Sequence, residues 1–156
     1  MRGFQSKAQQ YALKLLSYRG RSERELEERL LKKGVTKSEV SSTIRHFKEI
    51  GLIDDMSLAE TLKRNALTTR LLSQKGSKRF MLTRGIPPDI VDMVFYRHED
   101  TDLDNAMRFV AKKLRVLGNY PPEIARRKLY GLLSRRGYSS ETIMKVLREK
   151  NLKEED

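Results

Sequence analysis

The 156-residue chain contains no cysteine and no tryptophan. Without thiols there is no disulfide framework and no thiolate metal site, and their absence fits a reducing compartment. Long apolar runs are also missing: no stretch approaches the ~18 residues needed to cross a bilayer. The opening residues, "MRGFQSKAQQ", lack the apolar core of a secretory signal. A cytoplasmic protein with no membrane partner is therefore expected. β-Branched residues are scattered and no Asn-Gly hairpin signal appears, so nothing reads as strand.

The usual constellations of catalysis are missing as well. The glycines form neither GxGxxG nor GxxxxGK[ST], which leaves no visible nucleotide site. His46 and His98 are expected on separate helices, without the partners a zinc site needs. "DTDLDN" at 100–105 starts like a calcium loop, but Asn105 stands where glycine is required and Ala111 where glutamate is. Asp54 and Asp55 read as helix-start carboxylates, answering unpaired N–H groups and the positive end of the helix dipole. No catalysis, cofactor or metal is expected.

What the chain does have is charge. Lysine and arginine number 33 against 21 acids, a net charge of +12, and charged residues make up 35% of the chain. Such a balance favours nucleic acid, an anionic surface or an acidic protein face as partner.

The apolar residues recur at helical spacing. Tyr11, Ala12, Leu15 and Leu16 form one stripe, Leu26 and Leu30 a second, and Val40, Ile44 and Phe47 a third. Ser22 with Glu25, and Thr36 with Glu39, match capping boxes. Gly34 is placed to end the second helix in the left-handed conformation of a C-terminal cap.

The phrase "KKGVTKSEV" at 32–40 then returns as "TRGIPPDIV" at 83–91 and "RRGYSSETI" at 135–143. Gly34, Gly85 and Gly137 are spaced by 51 and 52 residues, each preceded by a basic residue (Lys33, Arg84, Arg136). Two places after each comes Thr36, Pro87 or Ser139, where the next helix should begin, with Pro88 suited to a first helical position. Ala12, Ala59 and Ala106 are 47 apart, as are Asp55 and Asp102, which are expected to cap the helices they open. Several offsets agreeing at once indicate an internal triplication. The expected fold is all-α: three tandem three-helix repeats at 8–54, 55–100 and 101–150, stacked into an elongated, curved array, with a charged tail at 151–156. Such units bury too little alone, and stacking supplies the core. No exposed coiled-coil heptad argues against a monomer.

Charge is segregated along the chain. Thr61 to Pro88 holds seven basic residues and no acid; Lys112 to Arg136 holds eight against Glu123 alone. Residues 89–104 hold six acids against Arg97. Like charges gathered this way repel one another, and an anionic partner is the natural explanation. Phe80, Tyr120, Tyr130 and Tyr138 are the aromatics that accompany the runs, few for base stacking on single strands.

Four phrases in order, "ALKLLSYRGRSERELEERLLKKGV" (12–35), "GLIDD" (51–55), "GSKRFMLTRGI" (76–86) and "LLSRRGYSSETIMKVL" (132–147), resemble the RecX family. The resemblance runs from about Tyr11 to Leu147. It implies tandem three-helix repeats and a non-catalytic regulator of the RecA recombinase. Such a protein binds the RecA–single-stranded DNA filament and most often inhibits its ATPase, recombinase and coprotease activities. Leu58 departs from the pattern, standing where the family commonly has an aromatic, and the tryptophan after it is absent. On this reading the candidate contacts are Arg64, Arg70, Lys78, Arg79, Arg126, Arg127, Arg135 and Arg136. The alternative is a direct, sequence-independent DNA-binding module that grips single- or double-stranded phosphates. Against it, the helix after Gly34 offers only Lys37, Arg45, His46 and Lys48, few for a recognition helix.

Overall fold

The computed structural model describes residues 6–152; residues 1–5, and residues 153–156 of the expected charged tail, lie outside them. Among the described residues there are nine α-helices and no strand. They are α1 (Lys7–Tyr18), α2 (Glu23–Lys32), α3 (Lys37–Glu49), α4 (Asp55–Thr68), α5 (Gln74–Thr83), α6 (Pro88–Phe95), α7 (Asp102–Leu117), α8 (Pro122–Arg135) and α9 (Ser140–Glu149). The chain is an all-α array of helical repeats.

The helix boundaries follow local chemistry. Ser22 and Glu25 form the reciprocal capping box at the start of α2. Thr36 accepts from the Glu39 N–H at 3.3 Å, the forward half of its expected box. Pro88 opens α6 behind Pro87, and Ser139 caps α9 by accepting from Thr142 N–H. Gly34, Gly85 and Gly137 all adopt positive φ, at +94°, +81° and +91°. Glycine is used there because a Cβ penalises the left-handed conformation. His98 corrects one expectation: it lies in the connection between α6 and α7, not on a helix.

The chain divides into two compact units. Of the described residues, the first comprises 6–61 together with Met81–Tyr96. Its core gathers Ala12, Leu15, Leu26, Leu30, Val40, Ile44 and Phe47, the three stripes of the sequence, with Ile53. Phe47 is fully buried, a contribution of about 3 kcal/mol for a side chain of that size. Leu58, the departure noted above, is half-buried and packs close to Gly20.

The second unit comprises Leu62–Phe80 and, of the described residues, 97–152. Its core joins Ala106, Phe109, Val110, Leu129, Leu133, Tyr138, Ile143 and Leu147 with Leu71. Leu71 itself has φ +52°, an uncommon conformation for a leucine, at the turn that ends α4. Its carbonyl accepts from the buried Tyr138 hydroxyl at 2.6 Å, which helps hold the turn in place.

Asp55 and Asp102 correct a second expectation. Asp55 does not cap α4; its Oδ1 accepts from Glu23 N–H, the first residue of α2, at 3.0 Å. Asp102 likewise accepts from Gln74 N–H, the first residue of α5, at 2.8 Å. Caps are instead supplied just upstream, by Asp54 to Met56 and Ser57, and by Asp100 to Asp102. The periodic aspartates therefore tie one repeat to the helix of another, once in each unit.

Candidate functional site

In each unit this aspartate contact belongs to a larger joint built from matching residues. In the first unit Ser22 is fully buried, and a Cβ on Gly85 would come within 2.5 Å of its hydroxyl oxygen. In the second, Ser73 is fully buried and a Cβ on Gly137 would come within 2.6 Å of its hydroxyl oxygen. Both glycines are required twice over, by backbone conformation and by space.

The joints differ at the position that faces the arginine before the glycine, and that difference bears on the site. In the first unit Glu25 faces Arg84, whose Nε lies 3.2 Å from its carboxylate. Arg84 also donates to the Gly20 carbonyl at 2.9 Å, and Arg19 reaches the same glutamate at 3.1 Å. Fifty-one residues beyond Glu25 stands Gly76. A Cβ there would sit 2.1 Å from the Arg136 carbonyl oxygen, so glycine alone admits this approach. That carbonyl accepts from both Ser73 N–H and the Ser73 hydroxyl, at 3.2 and 3.1 Å.

With no glutamate opposite, Arg136 pairs with no carboxylate among the described residues. Its guanidinium instead lies over the Phe109 ring at 4.2 Å, a cation–π contact. Burial pulls its pKa below the usual arginine value, and the positive charge of Arg135 beside it acts in the same direction. It stays charged all the same.

Arg136 lies at the edge of an open groove of ≈ 470 Å³ in the second unit. Arg70, Lys112, Lys113, Arg135 and Arg136 line it, with no acidic residue among its walls. Leu71, Leu72, Phe109 and Val116 supply apolar surface. Phe109, Lys112, Lys113 and Val116 recur at three- and four-residue spacing on α7 and so share a face. Lys113 also stands over the Phe109 ring, at 5.7 Å.

The groove brings together three of the sequence-predicted contacts, Arg70, Arg135 and Arg136. Arg70 is exposed, lies 4.3 Å over Phe80 and donates from Nε to Asn65 Oδ1 at 3.2 Å. The others are elsewhere. Arg64 is exposed on α4, and Arg79 is exposed and Lys78 half-buried on α5. Arg127 is exposed on α8. Arg126 is half-buried with Nη2 3.7 Å from Met144 Sδ, on the opposite face of α8 from Arg135. Lys112 and Lys113 are the additions. Their signal in the sequence was the mixed basic and apolar stripe of α7.

The aromatics that accompany the charge runs are engaged within the chain. Phe80 carries Arg70, Tyr120 carries Lys128 at 5.2 Å, and Tyr138 is buried. Tyr130 hydroxyl lies 3.3 Å from the Ser140 hydroxyl. Among the described residues no group of three or more His, Cys, Asp or Glu could hold a metal ion. No described helix is long and apolar enough to cross a membrane.

Comparison with known proteins agrees with these repeats. The model of the first three-helix domain of RecX matches residues 8–47, and that of the third matches residues 100–147, together more than half of the chain. The regulatory protein RecX of Streptomyces coelicolor is 28% identical over 143 residues, covering 91% of this chain and 76% of that protein. The regulatory protein RecX of Chlorobaculum tepidum is 27% identical over 146 residues, covering 94% and 89%. The crystal structure of RecX from Lactobacillus salivarius shares the fold, with a TM-score of 0.70 at 22% identity over 94% of this chain and 96% of that one. With two of its domain models matched in order, and relatives aligned over nearly the whole length, the chain belongs to the RecX family of regulatory proteins.

Proposed function

We propose that this chain binds the filament of RecA on single-stranded DNA and lowers its ATPase, recombinase and coprotease activities, without catalysis of its own. The observation that supports this most is a groove with five cations and no carboxylate, in a member of a regulatory family. Like charges held together cost energy by mutual repulsion, and a negatively charged partner offsets that cost. Arg70, Lys112, Lys113, Arg135 and Arg136 form the centre of the proposed contact set. Arg64, Lys78, Arg79, Arg126 and Arg127 are further proposed contacts outside the groove, on α4, α5 and α8. The proposed repeat spans remain 8–54, 55–100 and 101–150, and the proposed working form is a monomer in the cytoplasm.

The test is RecA ATPase on single-stranded DNA with this chain added up to an equal ratio. The rate should fall; an unchanged rate together with an unchanged filament lifetime rejects the proposal. Reversing Arg126 and Arg127 together, and separately Lys112 and Arg135, should weaken inhibition while leaving helical content intact.

The same cations favour a second reading, direct DNA binding independent of sequence. Affinity for oligonucleotides measured against salt without RecA distinguishes the two. Tight binding with a steep negative slope supports direct binding.

A further inference from the structure

We propose that the groove of the second unit holds an acidic polypeptide segment with a protruding apolar side chain, rather than a nucleic-acid strand. This rests on the filament reading above and names the chemistry that the groove takes.

Three observations point the same way. First, the cations are held ready for anionic oxygens. The Arg136 guanidinium lies over Phe109, and its Nε is buried with no hydrogen-bond partner among the described residues. A guanidinium positioned beforehand loses little freedom on binding, and its planar fork matches the two oxygens of a carboxylate. Lys112 and Arg135 are exposed in the same groove and can meet further acids.

Second, the groove is not purely cationic. Val116 is 68% exposed one helical turn beyond Lys112 and Lys113, and Leu72 is half-buried in the same lining. An apolar side chain laid between them would lose water-exposed area, and so would Val116. Cations around an apolar centre suit a segment that alternates acids with a large apolar residue.

Third, the groove offers no aromatic face to a nucleobase. Phe109 is 2% exposed and its ring already carries Arg136 and Lys113. Strands held without sequence preference draw much of their affinity from bases stacked on aromatic rings. Here a strand would gain phosphate contacts alone and leave Val116 bare.

The test uses the full chain and fluorescence anisotropy with three labelled probes: an oligoglutamate with one central leucine, the same peptide with serine in that place, and oligo(dT). The leucine peptide should bind more tightly than the serine peptide. Lys112→Glu with Arg135→Glu should weaken both peptides by about tenfold or more, with the circular dichroism spectrum unchanged. Val116→Ser, at an exposed position, should weaken the leucine peptide by about fivefold and leave the serine peptide as it was. Peptide binding that is absent, or undiminished in these variants, overturns the proposal. So does oligo(dT) displacing the peptides, with its own affinity lost in the double variant and untouched by Val116→Ser. RecA ATPase measured in parallel keeps the two readings apart. Inhibition retained by the double variant rejects the groove alone. No inhibition by the unaltered chain rejects the filament reading, while the peptide pattern still supports the groove.

Discussion

The two joints of this molecule use the same serine, aspartate and glycine but differ in what faces the arginine. In the first unit Glu25 holds Arg84 in an ion pair; in the second the matching position is Gly76, and Arg136 faces a cationic groove. One copy of a repeated basic residue is spent on structure and the other is available for contact. Two basic residues at equivalent places in a repeat therefore need not share a role. What separates them is whether a carboxylate stands across the joint.

Substitutions at the glycines of the second unit's joint should produce the largest effects. Gly137→Ala and Gly76→Ala each force a methyl group into backbone or buried side chain, within 2.8 Å or less. Either should cost about 3 kcal/mol or more, from overpacking and, at Gly137, the left-handed backbone. Gly34 has the same backbone conformation and nothing within 4 Å. Gly34→Ala should therefore cost only about 1 kcal/mol. Urea unfolding of the three variants reads this difference; equal costs at Gly34 and Gly137 would mean the joint is not tightly packed.

Next comes the pair of arginines. Arg84→Ala leaves Glu25, only 16% exposed as a side chain, without its more buried cation, and should cost about 2 kcal/mol. Arg136→Ala loses a cation–π contact of about 0.5–1 kcal/mol and, on the proposed function, should mainly weaken inhibition of RecA. Thermal melts and ATPase assays on both variants check the reversal of roles. If Arg84→Ala harmed inhibition more than stability, the assignment would be reversed.

Ser73→Ala removes a buried hydroxyl that accepts from Gly76 N–H at 2.9 Å and donates to the Arg136 carbonyl. Its cost should be about 1–2 kcal/mol, matched by Ser22→Ala in the other joint. A marked inequality between the two serines in denaturant midpoint would show that the joints are not energetically alike.

The smallest effect concerns pH. Burial raises the pKa of Asp102, against the opposing effect of the Gln74 N–H that bonds it. A folded-state value above the unfolded one favours the protonated folded form. The stabilisation from this group is thus full below the usual carboxylate value of 3.8 and is lost as pH rises through the folded value. Asp102→Asn keeps an acceptor for Gln74 N–H and removes the titration. Its melting temperature should equal or slightly exceed that of the unaltered chain near neutral pH, with a flatter profile in mildly acidic buffer. An unchanged profile would mean that Asp102 contributes nothing to it.

Much of the fold was legible in the sequence because helical spacing and capping are local. The stripes of α1, α2 and α3 became the first core, and the three glycines took the left-handed conformation their spacing implied. The aspartates were legible as important but misread in role. Asp55 and Asp102 looked like local caps, since no sequence rule reports that an acceptor will turn to a helix 28 or 32 residues earlier. At the site, three of eight predicted basic residues meet in the groove. Arg126 shares a helix with Arg135 but lies on its opposite face, a separation that counting charges along the chain cannot express.

The amino-acid order alone determined the helices, their ends, the triplication and the surplus of positive charge, because each depends on neighbours a few residues apart. Which arginine is neutralised and which faces a groove was decided only on packing. Glu25 and Gly76 stand 59 and 60 residues from the arginines they meet, and a contact at that range exists only once the repeats have closed on one another.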